Sequence, residues 1–376
     1  MSLHVVSFAI PYPANYGGAI DVFYKIKALS ELGIKIKLHA FEYDRGPAKE
    51  LEHYCEKVYY YPREKKKSKL LSEIPFIVIT RADEQLLNNL KLDQDPILFD
   101  GLHTTYFAHH PDLKNRFKML RSHNIEHDYY MGLADVERNL IKKGFFNLES
   151  KKLLEYEKNS IQLFDAILAI SEKDKEYFSD KHPNVLMVSA FHTNEKVELP
   201  QGNGAFYFYH GSLDVGENNE AALFLIQKVF AGRIEKLVIA GKNPGQELVA
   251  LCDRYDNIEL KSNVDHQEIL RLMKNAIANV LPTFQATGIK LKLLLALYQG
   301  RVALVNEPMI ENTGLEDLCL VAKTGQEFND LIDQLSDHQW NKEEEEAKRT
   351  KVLNSRFGNQ INAQKIIDLL KSNAQA

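Results

Sequence analysis

Cysteine is scarce in this chain of 376 residues: Cys55, Cys252 and Cys319 lie far apart in sequence. No CxxC pair occurs, which removes support for a thioredoxin-like site or a structural zinc site, and sparse cysteine suits a reducing compartment. A basic excess is missing too. Lys and Arg total 47 against 52 Asp and Glu, a formal charge of −5, whereas a general nucleic-acid binder carries a domain-wide positive footprint. No apolar run approaches the roughly 18 to 20 residues of a membrane span. The opening MSLHVVSFAIPYPANYGG lacks a basic n-region and its apolar stretch stops at Pro11, so it reads as a strand, not a signal peptide. Any meeting with a membrane is then from its surface. The G-x-S-x-G nucleophile elbow and the GxxxxGK[ST] phosphate loop are absent, which weighs against a hydrolase of the first kind and an ATPase of the second. What remains, 44% hydrophobic and 26% charged residues, is ordinary globular composition at a length that suits two or three domains.

The chain opens as strand, glycine loop, helix, strand. His4–Ile10 is a short apolar run of the kind that makes a buried parallel strand, and the loop PYPANYGGA follows it. From Asp21 to Leu32, Val22, Phe23, Ile26, Leu29 and Leu32 recur at helical spacing, and Gly33 is placed as a C-cap. The same grammar then repeats. Strands are predicted at Ile34, Val58, Ile97, Phe117, Asp165–Ser171 and Val185. One long charged helix is predicted from about Leu133 to Leu163, and Ser171 with Asp174 resembles a capping box. LPQGNG, Leu199–Gly204, reads as a linker, after which the pattern restarts with strands FYFYHGS, KLVIAGK, IELKS, IANVLP and RVALVN between helices. Glu343–Glu346 reads as a solvated helix face, and Val352–Leu370 as a closing helix. KKKSK, Lys65–Lys69, reads as a solvated loop, with an anionic-lipid surface patch as the other reading.

Candidate chemistry lies just past predicted strand ends, where ligands bind in open parallel sheets. Gly17 and Gly18 sit between the first strand and its helix, so the backbone can approach a ligand and the helix N-terminus can face an anion. The loop is not GxGxxG, and the second strand ends in Phe41-Glu42-Tyr43-Asp44, so a dinucleotide site has little support. The sharpest anomaly is Ala286-Thr287-Gly288-Ile289-Lys290-Leu291-Lys292. Two lysines open an apolar helix whose dipole disfavours cations there, which predicts a bound phosphate or diphosphate; solvent-exposed lysines are the alternative. Gly211-Ser212 and Gly241-Lys242-Asn243 end neighbouring strands, and Lys242 would be a third positive charge. In the first half, Asp100-Gly101-Leu102-His103 and Arg121-Ser122-His123-Asn124-Ile125-Glu126 present His103 and His123 for proton transfer or for holding sugar hydroxyls. His123, Glu126 and His127 lack the HExxH spacing, and no metal site is read from them.

Taken in order, PYPANYGGA, HNIE at His123, YEKNSIQLFDAILAIS, YHGSLDVGENNEA, LVIAGKNPG, LPTFQATGIKLKLLLALYQG and ENTGL at Glu311 run along almost the whole chain. They resemble the GT-B glycosyltransferases of the group-1 or family-4 type found in bacterial polysaccharide assembly. The resemblance implies an α/β protein with two Rossmann-like domains facing an interdomain cleft. The acceptor domain would span 1–198 and the nucleotide-sugar domain 199–352, and a helix over 353–376 would cross back to the first domain. It implies retaining sugar transfer without a metal or other cofactor, from a nucleotide-diphosphate sugar to a glycan, lipid-linked or small-molecule acceptor. The expected place is the cytoplasm or the inner membrane face, with no nucleic-acid partner. Carried onto this sequence, Gly17 and Gly18 approach the donor phosphates or the acceptor, and His103 meets the transferred sugar. Gly211, Lys242, Gly288, Lys290 and Lys292 lie near the diphosphate, with Glu311, Gly314 and Leu315 at the same pocket. His103, His123 and Lys290 are the catalytic candidates. Many relatives carry a spaced pair of glutamates where Thr287 and Leu295 stand here, and Leu295 cannot accept a ribose hydrogen bond. The alternatives are a catalytically degenerate GT-B partner protein and, on the same fold, a phosphorylase or a nucleotide-sugar epimerase.

Overall fold

In the computed structural model, which describes all residues except 138, 285–289, 337–339 and 376, the chain forms two compact units: Met1–Thr193 with Arg356–Ala376, and Asn194–Ser355. The first holds seven strands: β1 (Ser2–Ser7), β2 (Lys35–Glu42), β3 (Lys57–Pro62), β4 (Ile97–Asp100), β5 (Lys118–Arg121), β6 (Ala166–Ala169) and β7 (Val185–Met187). They pair in parallel in the order β3-β2-β1-β4-β5-β6-β7. The second holds β8 (Phe206–Ser212), β9 (Leu237–Lys242), β10 (Ile258–Ser262), β11 (Ala276–Leu281), β12 (Val302–Val305) and the short β13 (Leu320–Val321), which the sequence pattern did not announce. Their order is β10-β9-β8-β11-β12-β13, again parallel. Both sheets are doubly wound, and strand order reverses at β1/β4 and at β8/β11, the switch points where such sheets open a crevice.

Register brings the chemistry of the first unit to one edge. Ser7 pairs with Asp100 and Asp100 with Arg121, so the ends of three strands stand side by side. The central strands are buried along their whole length, since helices cover both sheet faces. On one face Val22, Ile26 and Leu29 of the helix Gly17–Glu31 pack with Ile366 and Leu370 of the helix Asn359–Gln375. On the other, Leu87, Leu90, Leu102 and Leu153 close the core.

Three expectations are corrected. The long helix is two, Glu126–Val136 and Leu140–Ser160, because Asn139 caps the second: its side-chain oxygen accepts from the amides of Ile141 and Lys142 at 3.0 and 3.1 Å. The closing helix is also two, Lys342–Arg356 and Asn359–Gln375. Between them the Phe357 carbonyl contacts the His192 ring at 2.9 Å, and the Asn359 side chain pairs with the His192 backbone at 3.1 and 2.7 Å. Residues 199–204 are not a free tether. The Arg301 guanidinium donates to the carbonyls of Gln201 and Gly202 at 2.6 and 2.7 Å, Glu346 accepts from the Leu199 amide at 2.8 Å, and the Glu198 amide bonds the Tyr298 carbonyl at 2.9 Å. The contact boundary accordingly falls at Thr193/Asn194. The Ser171 hydroxyl accepts from the Asp174 amide at 3.1 Å, which fixes the helix Glu172–Ser179 as its sequence announced.

Candidate functional site

At the switch point of the first sheet, two buried carboxylates face two buried cations. Asp21 accepts from Arg121 at 2.8 Å and lies 3.1 Å from the Lys25 ammonium, which in turn lies 2.7 Å from Asp100. Burial opposes ionisation of Asp21, but the charges of Arg121 and Lys25 outweigh it and hold the carboxyl well below its ordinary range. Two carboxylates and two cations balance in charge, and His123 stands beside them. Its Nε2 lies 2.6 Å from Asp100, and because a carboxylate only accepts, that nitrogen carries a proton and donates; Nδ1 lies 3.8 Å from Asp21.

His103 and His123 both stand on the Phe8 ring, with centroids 5.4 and 5.5 Å away, and Gly101 lies between them. Gly101 has φ +84°, and a Cβ there would come within 3.0 Å of His103 Nδ1, so glycine is required on both counts. Gly18 is tight against Phe8, whose ring carbon would be 2.6 Å from an added Cβ; Gly17 is exposed and opens the helix Gly17–Glu31. Burial, reinforced by the charge of Arg81, pushes the His103 imidazole well below its ordinary value, so it is neutral at pH 7. Its Nδ1 lies 3.9 Å from Glu126, a carboxyl that burial and then the charge of Glu157 push up to about 8. A neutral imidazole and a protonated acid can donate to and accept from hydroxyl groups.

Glu126 carries a pH dependence. Unfolded, it ionises near 4.5; folded, near 8, so its contribution to stability is full below the first value and is lost as pH rises through the second. Each unit of that displacement is worth about 1.4 kcal/mol. Glu126→Gln should therefore unfold at higher urea than the native chain at about pH 8 and lose the advantage at about pH 4. Equal midpoints for the two proteins at both pH values would show that Glu126 is ionised in the fold.

In the second unit the matching switch point gathers β8, β11 and the starts of two helices. Lys290, the N-cap of Leu291–Gln299, lies 2.8 Å from the Glu217 carboxylate, which opens Gly216–Phe224 and also accepts from the Thr283 hydroxyl. Lys292 donates to the Asn218 side chain at 2.8 Å and to the Tyr209 hydroxyl at 3.4 Å. Burial, reinforced by the Lys290 charge, brings Lys292 down to about 8. Of the lysines that opened the helix unfavourably, Lys290 is thus met by a carboxylate of the chain and Lys292 by neutral acceptors. Gly211 is needed because a Cβ there would be 2.9 Å from Asn218, and Gly241 because one would be 2.0 Å from the Gly211 carbonyl. Lys242 ends β9 with an exposed side chain. Past the helix Glu307–Ile310, Glu311 is exposed, Gly314 turns at φ +68°, and Leu315 buries its side chain, leaving only its backbone to face a ligand. Gly288 and Thr287 lie outside the described residues.

Several of these residues escaped the sequence reading: Phe8, Asp21, Lys25, Arg81, Tyr209, Glu217 and Thr283. Asp21 and Lys25 did leave a signal, opposite charges four apart on a helix, each next to a residue of its apolar stripe, Val22 and Ile26. Two groups among the described residues have ligand atoms close enough for a cation, His4 with Asp93 and Asp95, and Asp21 with Asp100 and His123. In the first, Lys37 and Arg116 already pair with the carboxylates; in the second, Lys25 and Arg121 do.

Two Rossmann-like units in one chain, each with polar groups at its switch point, define the GT-B fold. No family model matches the chain. Among curated proteins it is similar to an uncharacterized 44.6 kDa protein in the cps region of Klebsiella pneumoniae, 28% identical over 328 residues, 82% of this chain and 84% of that one. Among solved structures, a mutant of TarM from S. aureus, in complex with fondaparinux, alpha-GlcNAc-glycerol and UDP, superposes with TM-score 0.66 at 11% identity over 98% of this chain and 99% of that one. A structure of trehalose-6-phosphate from E. coli bound with UDP-2-fluoro glucose superposes with TM-score 0.61 at 13% identity over 99% of each chain. At these identities the likeness is one of fold.

Proposed function

We propose that this protein transfers a sugar, with retention and without a metal, from a nucleotide-diphosphate sugar to a carbohydrate or lipid-linked glycan. The observation that carries the reading is the pair Lys290 and Lys292, set at a helix start beyond the ends of β8 and β11. Leaving-group charge grows on the diphosphate as the anomeric bond breaks, and fixed ammonium groups beside a helix N-terminus stabilise it there. The acceptor hydroxyl would bond the anomeric carbon on the face the diphosphate leaves, its proton passing to a donor phosphate oxygen. In the first unit, neutral His103, with His123 steadied by Asp100, would hold sugar hydroxyls. The GT-B fold and the cps-region relative support the same reading.

Calorimetric titration with UDP, GDP and ADP, without metal, is the direct test. One of them should bind saturably in the micromolar range, and an inverted product anomer would sink the retaining mechanism. Glu217 adds a sharper expectation. Its carboxylate holds Lys290 where the diphosphate would sit, so a ligand must displace it; Glu217→Gln should bind the nucleotide about tenfold more tightly, the loss of one competing charge pair. Weaker binding by the variant would make Glu217 a ligand contact instead. A second reading, a GT-B protein that no longer turns over, is favoured by Leu295, which is packed in the core where a ribose acceptor would be needed. Failure of all three nucleotides to bind would select it.

A further inference from the structure

The first unit carries a surface that the proposed chemistry does not use. Of the eighteen large apolar side chains exposed among the described residues, eight fall within residues 70–71 and 129–148. The most exposed of these eight are Leu71 at 91%, Ile141 at 85% and Leu140 at 83%. Leu71 ends the short turn Lys67–Leu71, and Leu140 and Ile141 open the helix Leu140–Ser160. Lys152 donates to the Leu70 carbonyl at 3.1 Å and so brings turn and helix together; five residues past the turn, the Phe76 amide donates to Glu149 at 2.6 Å and the Phe76 and Phe145 rings meet edge to face at 6.3 Å. Ile141, Phe145, Leu148 and Lys152 are four, three and four residues apart, one stripe of the helix about 16 Å long. Ile141 and Leu148 lie on that stripe, Leu140 precedes it, Leu70 and Leu71 are on the neighbouring turn, and Tyr129, Met131 and Val136 are on the preceding helix, Glu126–Val136.

Charge follows the same surface. Residues 64–73 and 140–152 hold eight lysines and three glutamates in a chain whose net charge is −5. Glu149 is buried and paired with Lys152, and Glu64 pairs with Lys66 and Lys69. Lys67, Lys142 and Lys151 are exposed and have no ion pair among the described residues. A protein partner of matching shape would meet these apolar groups in a groove. Here they stand out from the surface, bare, with ammonium groups around them, an arrangement suited to a deformable anionic layer into which leucine and isoleucine insert while lysines reach headgroup phosphates. No helix among the described residues is long and apolar enough to cross a membrane, so contact of this kind is peripheral.

We infer that the turn Lys67–Leu71 and the start of the helix Leu140–Ser160 form one docking surface for an anionic lipid bilayer. The inference stands whether or not the protein transfers sugar. Flotation of the full chain with phosphatidylcholine vesicles, with and without about a third phosphatidylglycerol, tests it. The native protein should float with the anionic vesicles, at least tenfold less with the neutral ones, and be released as salt rises, each lysine near the surface being worth about a fivefold change in partition. Leu71→Ser with Ile141→Ser, and separately Lys67→Glu with Lys142→Glu, should each reduce flotation at least tenfold. All four side chains are exposed, and unchanged thermal unfolding of both variants confirms an intact fold. Native protein that stays down with anionic vesicles overturns the inference, as do variants that float like the native chain. So does sedimentation in which the serine variant dissolves a dimer, for that would assign the surface to a second copy.

Discussion

Arg121→Ala is expected to cost about 3–5 kcal/mol of stability, the usual loss when one partner of a buried charge pair is removed. Arg121 donates to both carboxylate oxygens of Asp21, at 2.8 and 3.4 Å, and to the carbonyls of Val188 and Ser189. It therefore ties the end of β5 to the helix Gly17–Glu31 and to the chain that follows β7. Without it, Asp21 keeps the Lys25 ammonium and the Phe191 amide at 2.9 Å, but one buried negative charge is left over between Asp21 and Asp100. Urea unfolding should show the loss directly. Removing both partners discriminates the cause: Asp21→Leu with Arg121→Met restores an apolar, filled site and should recover much of the stability, although Lys25 then keeps only Asp100. Recovery no better than the single variant would mean that the carbonyl contacts of Arg121, not the charge balance, carry its weight.

How much of this was legible beforehand follows from which forces are local. The strands were readable because burial on both sheet faces demands apolar runs: β4, β5 and β6 are buried at every residue, β6 is apolar throughout, and β4 and β5 are apolar but for Lys118 and the Asp100 and Arg121 that end them at the site. β13, of two residues, leaves too short a pattern. The helix boundaries at Asn139 and Phe357 went unread because side-chain hydrogen bonds set them, one to the next turn and one to His192, more than 160 positions away. Glycines were found where they matter, yet the reason differs from the one the sequence offers. Gly18, Gly211 and Gly241 make room for Phe8, Asn218 and a neighbouring carbonyl, a cause visible only once the strands are side by side.

The lysines show the same division. Charge logic at a helix start called for an anion at Lys290 and Lys292, and the fold supplies the Glu217 carboxylate to the first and the Asn218 side chain to the second. Glu217 is 73 residues before Lys290, so nothing in the local sequence could pair them. A carboxylate that meets an ammonium in the ligand-free chain also marks where a stronger anion can compete.

The sharpest loss of function should come from those two side chains. A charge-assisted hydrogen bond to a buried phosphate is worth about 1.5–3 kcal/mol, so Lys290→Ala should weaken nucleotide-diphosphate binding about ten- to a hundredfold. The Lys290→Ala, Lys292→Ala double variant should weaken it on the order of a thousandfold. Lys292 adds a second signature. Its value near 8 means that the free protein holds this site partly deprotonated at mildly alkaline pH, and a bound diphosphate favours the ammonium form. Binding should then take up a proton above about pH 8 and weaken as pH rises further, and titrations in buffers of different ionisation enthalpy count that proton. In Lys292→Ala the proton uptake should vanish, while in Lys290→Ala it should persist in weaker binding. A proton count unchanged by Lys292→Ala would move the titrating group elsewhere and leave Lys292 a structural partner of Tyr209 and Asn218.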